Sequence, residues 1–379
     1  MMGLETAAAI LFVASLALSL ILTGVMLRLA RRWNFIDRPS RRKLHTRPTP
    51  LGGGLAVFLA TALPVIIAFS LVLACHASPG EAPGIFSSEI VKHFSGIISR
   101  SRELIVVLLG GLIMTVTGLV DDVRHISVKE KLLAQIIVGV ALASAGIRLS
   151  LFMVDPIITG ALTVVWIVAI TNAFNLLDNM DGLCASVAAV LSVIFLVVAV
   201  QTGQLFIAMF LVVLLGALAG FLAFNRPPAK IFMGDAGSLF TGYILAVLTV
   251  LFTFYGREVR IEGLNINRLY PFLVPLLIFA VPIFDTLSVM AIRLKENRPI
   301  WQADRSHFSH RLLNLGMTPG AALLTVCLVT WCTGVSAVLL YPGTGTFASD
   351  LLRAGVVVSQ AAGIIFIIVL LERAARKKE

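Results

Sequence analysis

Long apolar runs separated by short polar stretches make up almost the whole chain. Eleven of them approach or exceed membrane length, over residues 4–27, 51–73, 104–120, 132–150, 157–175, 184–200, 205–224, 239–255, 271–294, 320–341 and 352–371. A bilayer core of about 30 Å takes roughly 20 helical residues, because every backbone amide in hydrocarbon must find its partner inside the segment. The pattern therefore predicts an all-α, polytopic membrane protein with about eleven transmembrane helices in a single integral-membrane domain, 1–379. The first run has no basic region before it and no small-residue cleavage site after it, so it reads as a span and not a signal peptide. Within 74–103, Ile90, Val91, Phe94, Ile97 and Ile98 share a helical face beside Lys92, Arg100 and Arg102, which predicts a short helix lying at the interface.

Composition agrees with this reading. The 379 residues are 58% hydrophobic and 13% charged, where soluble domains carry about 25% charged residues. The net charge of +10 would suggest nucleic acid in a soluble protein, but in a membrane protein the side on which charges lie matters more than their sum. If consecutive spans alternate direction, one set of connections carries 22 of the 30 Lys and Arg residues. That set is expected to be cytoplasmic, with the N-terminus outside and the C-terminus inside, and no nucleic-acid partner is expected. The four cysteines show no Cys-x-x-Cys spacing and support neither a disulfide framework nor a zinc site.

The chemically unusual residues fall in or beside the connections assigned to the cytoplasmic side. Asp121 and Asp122 are adjacent carboxylates at the end of the third run, followed by Lys129 and Lys131. Adjacent acids repel and need a divalent cation, a proton or basic groups to offset them; a solvated loop end paired with Arg124 and Lys131 is the plainer explanation. Asn172, Asn175, Asp178 and Asp181 follow at spacings of three, so a helix continued into a loop would point four oxygen-bearing side chains one way. Hard cations and hydroxyl-rich or heterocyclic ligands bind such oxygens.

Three further stretches add to them. Around Gly234, Asp235, Gly237 and Ser238, glycines permit close backbone approach, Asp235 offers a metal ligand, and a helix start leaves amides free for an anion. Phe232 either stacks on a base or packs in the core. His307 and His310, flanked by Arg305 and Arg311, form a cation-rich patch suited to phosphate, with zinc or lipid headgroups as rival ligands. Arg42, Lys43 and His45 lead into Gly52-Gly53-Gly54, where the basic run attracts anionic lipid phosphate and the glycines let a phosphate or another backbone come close.

In order, the motifs Arg-Lys-x-His-x-x-Pro-x-Pro-x-Gly-Gly, Asp-Asp, Asn-x-x-Asn-x-x-Asp-x-x-Asp-Gly-Leu, Lys-Ile-Phe-Met-Gly-Asp-x-Gly-Ser and His-x-x-His-Arg-Leu span residues 37–316. Together they resemble the polyprenyl-phosphate N-acetylhexosamine-1-phosphate transferases. The histidine segment is most similar to the undecaprenyl-phosphate N-acetylglucosamine-1-phosphate transferases of O-antigen, enterobacterial common antigen and teichoic acid pathways. It is less similar to the phospho-muramoyl-pentapeptide translocase, and it departs from the usual His-x-His-His by placing Ser309 third.

The resemblance implies an Mg2+-dependent enzyme, with Mn2+ an allowed substitute. It would transfer the sugar 1-phosphate of a UDP-N-acetylhexosamine to polyprenyl (undecaprenyl) phosphate in the bacterial cytoplasmic membrane. It further implies Asp235 and Asn175 at the metal, Asp121 and Asp122 as the catalytic pair that positions or deprotonates the lipid phosphate, and Lys131 as a catalytic lysine contacting phosphate. Asp178, Asn179, Met180, Asp181 and Phe232 would lie near the nucleotide, and Arg305, His307, His310 and Arg311 near the diphosphate and sugar. Membrane lipids are expected partners, and a homodimer is compatible with the sequence. The rival class is a secondary transporter, since intramembrane acids also mark ion pathways. Of the acids, only Asp285 lies deep in a predicted helix, where packing or a bend at Pro282 accounts for it.

Overall fold

A computed structural model describes residues 3–39, 47–77, 86–149, 155–255, 270–299, 306–340, 355–366 and 368. Helices dominate. They are α1 (Leu4–Arg32), α2 (Gly53–Ala77), the short α3 (Ser88–Val91) and α4 (Phe94–Ser99), α5 (Ser101–Arg124), α6 (Val128–Ser144), α7 (Pro156–Leu177), α8 (Leu183–Gln201), α9 (Leu205–Asn225) and α10 (Gly234–Tyr255). Then come α11 (Tyr270–Ile278), α12 (Ala280–Lys295), α13 (Phe308–Asn314), α14 (Pro319–Gly334), α15 (Ser336–Leu339) and a final apolar helix α16 (Gly355–Phe366). The strands among the described residues are the two-residue β1 (Ile36–Asp37) and β2 (Thr49–Pro50), antiparallel with Ile36 opposite Pro50.

Eight helical segments among the described residues are long and apolar enough to cross a membrane. The protein is thus an all-α polytopic membrane protein, as the runs of apolar residues predict. Three of the eleven expected spans take other forms. The 132–150 run becomes α6, whose 17 residues rise only about 25 Å at 1.5 Å per residue. The 271–294 run is divided at Phe279 into α11 and α12, with Pro275 inside the first piece, where a missing amide donor weakens the helix. The 352–371 run is described as α16, only part of its expected length.

Small residues bring α1 onto α9. Ser15 Oγ donates to the Ala60 and Val213 carbonyls at 2.8 and 2.7 Å, and Ser19 Oγ to the Ala217 carbonyl at 2.6 Å. Such satisfied hydroxyls are how polar side chains persist between helices in lipid. The expected interfacial helix is broken into α3 and α4. Phe86, Ile90 and Phe94 form a small buried cluster there, packed against Leu4, Ala7, Val72 and Cys75.

The centre of the molecule is α10, in which residues 236–253 are all buried. It lies against α2, α5 and α7, so residues at its N-terminal end are held by three neighbouring helices at once.

Candidate active site

The site is assembled around the N-terminus of α10. A helix start leaves its first amides without intrahelical partners and carries partial positive charge. Here the protein supplies its own anions. Asp122, in the last turn of α5, accepts the Asp235 amide at 2.8 Å and the Ala236 amide at 3.2 Å, one with each carboxylate oxygen. The amide of Gly234 donates to Asp178, the residue that ends α7. The sequence suggests these amides could receive a ligand anion; side chains of the chain already occupy them.

Local backbone makes this possible. Gly234 has φ +68°, a conformation that favours glycine, and a Cβ there would come within 2.5 Å of Asp122 Oδ2. A Cβ at Gly118, one turn before Asp122, would overlap the backbone of Asp235 and Ala236; one at Gly54 would overlap the backbone nitrogen of Gly237. The loop before α10 is also tied to the entry of α2. The Phe232 amide donates to the Pro50 carbonyl at 2.8 Å, and the Gly53 and Gly54 amides donate to the Phe232 and Met233 carbonyls at 3.1 and 2.9 Å. The glycine triplet thus serves backbone approach.

Lys131 closes the cluster. Ser127 and Glu130 form a reciprocal capping box that starts α6, which places Lys131 in its first turn. Its ammonium lies 2.9 Å from Asp121 Oδ2 and 2.9 Å from Asp235 Oδ2. One cation therefore bridges carboxylates 114 residues apart in sequence. Asn175 reaches the same place from α7, its Nδ2 donating to Ser238 Oγ at 3.0 Å. Burial first, then the neighbouring carboxylates of Asp235, Asp122 and Asp181, hold the Asp178 carboxyl well above the usual carboxylate range.

The four side chains spaced by three along residues 172–181 do not all converge. Asn172 is turned to α6, where it exchanges two amide hydrogen bonds with the buried Gln135, at 2.6 and 3.3 Å. Asp181 accepts the Ala229 amide at 2.9 Å and ties its loop to the one preceding α10. Met180 is buried in the core and Phe232 is half-buried.

The histidine segment forms a second structure beside the first. His307, Ser309, His310 and Arg311 are all buried, at or within α13. Ser309 Oγ donates to Asn179 Oδ1 at 2.6 Å, so the residue that departs from the usual motif joins this segment to the loop carrying Asp178. Arg311 Nη2 donates to Ser288 Oγ at 3.0 Å. Sequence reasoning passes over one participant. Asp285, taken as a packing residue, is buried and bound to both His307 and the Phe308 amide. Arg305, Arg42, Lys43 and His45 lie outside the described residues. Among the described residues, no group of three or more His, Cys, Asp or Glu side chains is arranged to hold a metal.

Comparison with known proteins places this geometry in context. Residues 104–253, which contain Asp121, Asp122, Lys131, Asn175, Asp178 and Asp235, match the model of glycosyl transferase family 4. The chain is 33% identical over 343 residues to the probable undecaprenyl-phosphate N-acetylglucosaminyl 1-phosphate transferase of Bacillus subtilis, covering 88% of this chain and 85% of that protein. It is 29% identical over 325 residues to the decaprenyl-phosphate N-acetylglucosaminephosphotransferase of Mycolicibacterium smegmatis, covering 81% and 75%. It is 26% identical over 316 residues to the undecaprenyl-phosphate alpha-N-acetylglucosaminyl 1-phosphate transferase of Yersinia pestis, covering 79% and 75%.

Proposed function

The chain belongs to glycosyl transferase family 4, and from that premise we propose that it transfers N-acetylglucosamine 1-phosphate from UDP-N-acetylglucosamine to polyprenyl phosphate. The reaction releases UMP at the cytoplasmic face of the membrane and starts a cell-envelope glycan. The observation that carries the reading is the meeting of Asp121, Asp122, Lys131, Asn175 and Asp235 at the N-terminal end of one buried helix. An isoprenoid phosphate stays in the bilayer and a nucleotide sugar stays in water, so the two can react only where the phases meet. Residues at the ends of spans have that address. In keeping with it, we propose eleven crossings in one integral-membrane domain, with α6, the α11–α12 pair and α16 completing the count, and the N-terminus outside.

Two anions must approach each other. At about 4 Å, two unit charges repel by roughly 4 kcal/mol at an effective dielectric near 20, and Lys131 is the cation already in place to offset that. In this reading Asp235 and Asn175 would hold a magnesium ion, with manganese as a substitute. Asp235 and Asn175 offer hard oxygens, and magnesium is commonly held by one or two carboxylates with phosphate oxygens and water filling the rest. When bound, it supplies Lewis-acid polarisation of the diphosphate.

A phosphate oxygen of the lipid forms a bond to the donor's β-phosphorus, and the bond from that phosphorus to the oxygen bridging to the α-phosphorus breaks. UMP leaves with the bridging oxygen and its electron pair. Asp122 has both oxygens committed to α10 amides, so its part is to fix Asp235 rather than to remove a proton. A phosphate monoester is largely ionised near neutral pH, and no strong base is needed. Asp178, Asn179, Met180, Asp181 and Phe232 border the nucleotide in this reading, and His307, His310 and Arg311 the diphosphate and sugar.

The test is UMP release by purified protein from a panel of UDP-sugars, with and without polyprenyl phosphate and magnesium. Release from UDP-N-acetylglucosamine that needs both additions is expected. Gradient-driven uptake of a solute into vesicles, with no UMP formed, would instead indicate a transporter.

A further inference from the structure

Asp285 lies in the second turn of α12, in a mostly apolar stretch, and it is only 2% exposed and its partner His307 only 4%. A buried carboxylate in such a place is costly unless its oxygens are engaged. Both are: Oδ2 lies 2.9 Å from His307 Nδ1, and Oδ1 accepts the Phe308 amide at 2.6 Å. His307 is the residue at which α13 begins, but its own side chain makes no capping bond. Asp285 caps the helix in its stead and holds the ring with the other oxygen.

The rest of α12 reinforces that grip. Phe284 packs edge-on against Phe308 with ring centroids 6.0 Å apart, Arg311 lies 5.9 Å from both rings, and Ser288, nearly one turn after Asp285, receives Arg311 Nη2. One face of α12 is thus a template for the histidine segment. An ionised carboxylate accepts and cannot donate, so the ring nitrogen facing Oδ2 must carry a proton. With Asp285 as the accepting carboxylate, Nδ1 holds hydrogen, and in the neutral ring Nε2 is the nitrogen with a lone pair.

We propose that Asp285 is a positioning residue for the transfer reaction. By accepting a hydrogen bond from His307 Nδ1 it sets ring plane and tautomer, so that Nε2 presents its lone pair to a hydroxyl or amide N–H of the donor's sugar. The inference rests on the transferase reading for its consequence, though not for the Asp285–His307 bond itself.

Asp285→Asn is the informative variant. Its carboxamide oxygen can still accept the Phe308 amide, while its NH2 would face Nδ1 and call for an acceptor there, moving the ring proton to Nε2. With retained thermal stability, kcat/KM is expected to fall about 10- to 100-fold, the usual cost of removing a partner that orients a histidine. The same substitution in a His307→Ala background is expected to cost almost nothing further, since the two residues act as one unit. Nitrogen-15 NMR of histidine-labelled protein, assigned through His307→Ala, is expected to place the His307 proton on Nδ1 in the wild type and on Nε2 in Asp285→Asn. Equal losses in the two backgrounds would overturn the proposal, as would a wild-type His307 protonated only at Nε2. A wild-type protein inert toward UDP-sugars would sink the transferase reading instead, and the NMR experiment on that same protein would still decide the bond. If Asp285→Asn fails to fold, the wild-type spectrum alone decides it.

Discussion

The acidic cluster at the start of α10 and the histidine segment at α13 are built by different means. The first is set by backbone. Gly54 and Gly118 bring α2 and α5 so close to α10 that no side chain fits between them, and Asp122 is fixed because main-chain amides meet both of its oxygens. The second is hung on side chains: Asp285, Ser288 and Asn179 each hold one group of a seven-residue helix. A backbone-built site keeps its shape when one side chain is trimmed and fails when a glycine is filled. A side-chain-built site does the reverse, and each region can be tested for the behaviour of the other.

The largest effect is expected from removing the carboxylate at the start of α10 that pairs with Lys131. Asp235→Ala should lower turnover by at least about 100-fold, the scale seen when a group stabilising transition-state charge is lost. Its thermal unfolding should stay near that of the wild type, because the Asp122 contacts are to backbone. Loss of both activity and folding would mean the cluster is not backbone-built. Next come the glycines. Gly118→Ala or Gly54→Ala drives a methyl group into main chain that has no room to yield, at a cost of about 3 kcal/mol or more, read as a lowered Tm in detergent together with lost activity. Asp122→Ala uncaps two amides and should cost about 1–2 kcal/mol, with Asp122→Asn recovering part of it, since one oxygen remains to accept.

The smallest effect concerns the brace behind the cluster. Gln135→Leu takes the Nε2 donor from Asn172 Oδ1 in the α6–α7 interface, leaving Asn172 Nδ2 its bond to the Val168 carbonyl, and should cost about 1–2 kcal/mol. The Gln135→Leu/Asn172→Leu pair should regain most of that, because replacing both partners with apolar groups removes the unmet bond. Additive losses would show that the two amides do not form a unit.

Much of this was readable from the chain. Apolar runs mark the helical membrane class, alternation of the spans puts Asp121, Asp122, Asn175 and Asp235 on one side, and the family resemblance joins Lys131 to them in one site. What stayed hidden has physical reasons. Residues 172–181 repeat every three, but α7 ends at Leu177, so Asp181 leaves the helical face and Asn172 looks to α6. Whether a glycine admits a phosphate or a neighbouring backbone depends on what packs opposite, which the sequence around Gly54 does not state. Asp285 lies in a mostly apolar helix with its partner 22 residues away, so no local pattern marks it. The run over 271–294 is predominantly apolar on both sides of Phe279, and its division there shows only in the backbone.

The central claim is that the cluster around Asp235 and Lys131 is where a water-soluble donor meets a membrane-bound acceptor. Its most direct measurement is the stoichiometry of UMP against polyprenyl-diphospho-sugar formed by purified wild-type protein and by folded Asp235→Asn, with UDP-N-acetylglucosamine and polyprenyl phosphate. One UMP per lipid product is expected in the wild type, and a near-complete loss of both in the variant. Comparable product from the variant, or UMP formed without the lipid, would contradict that claim.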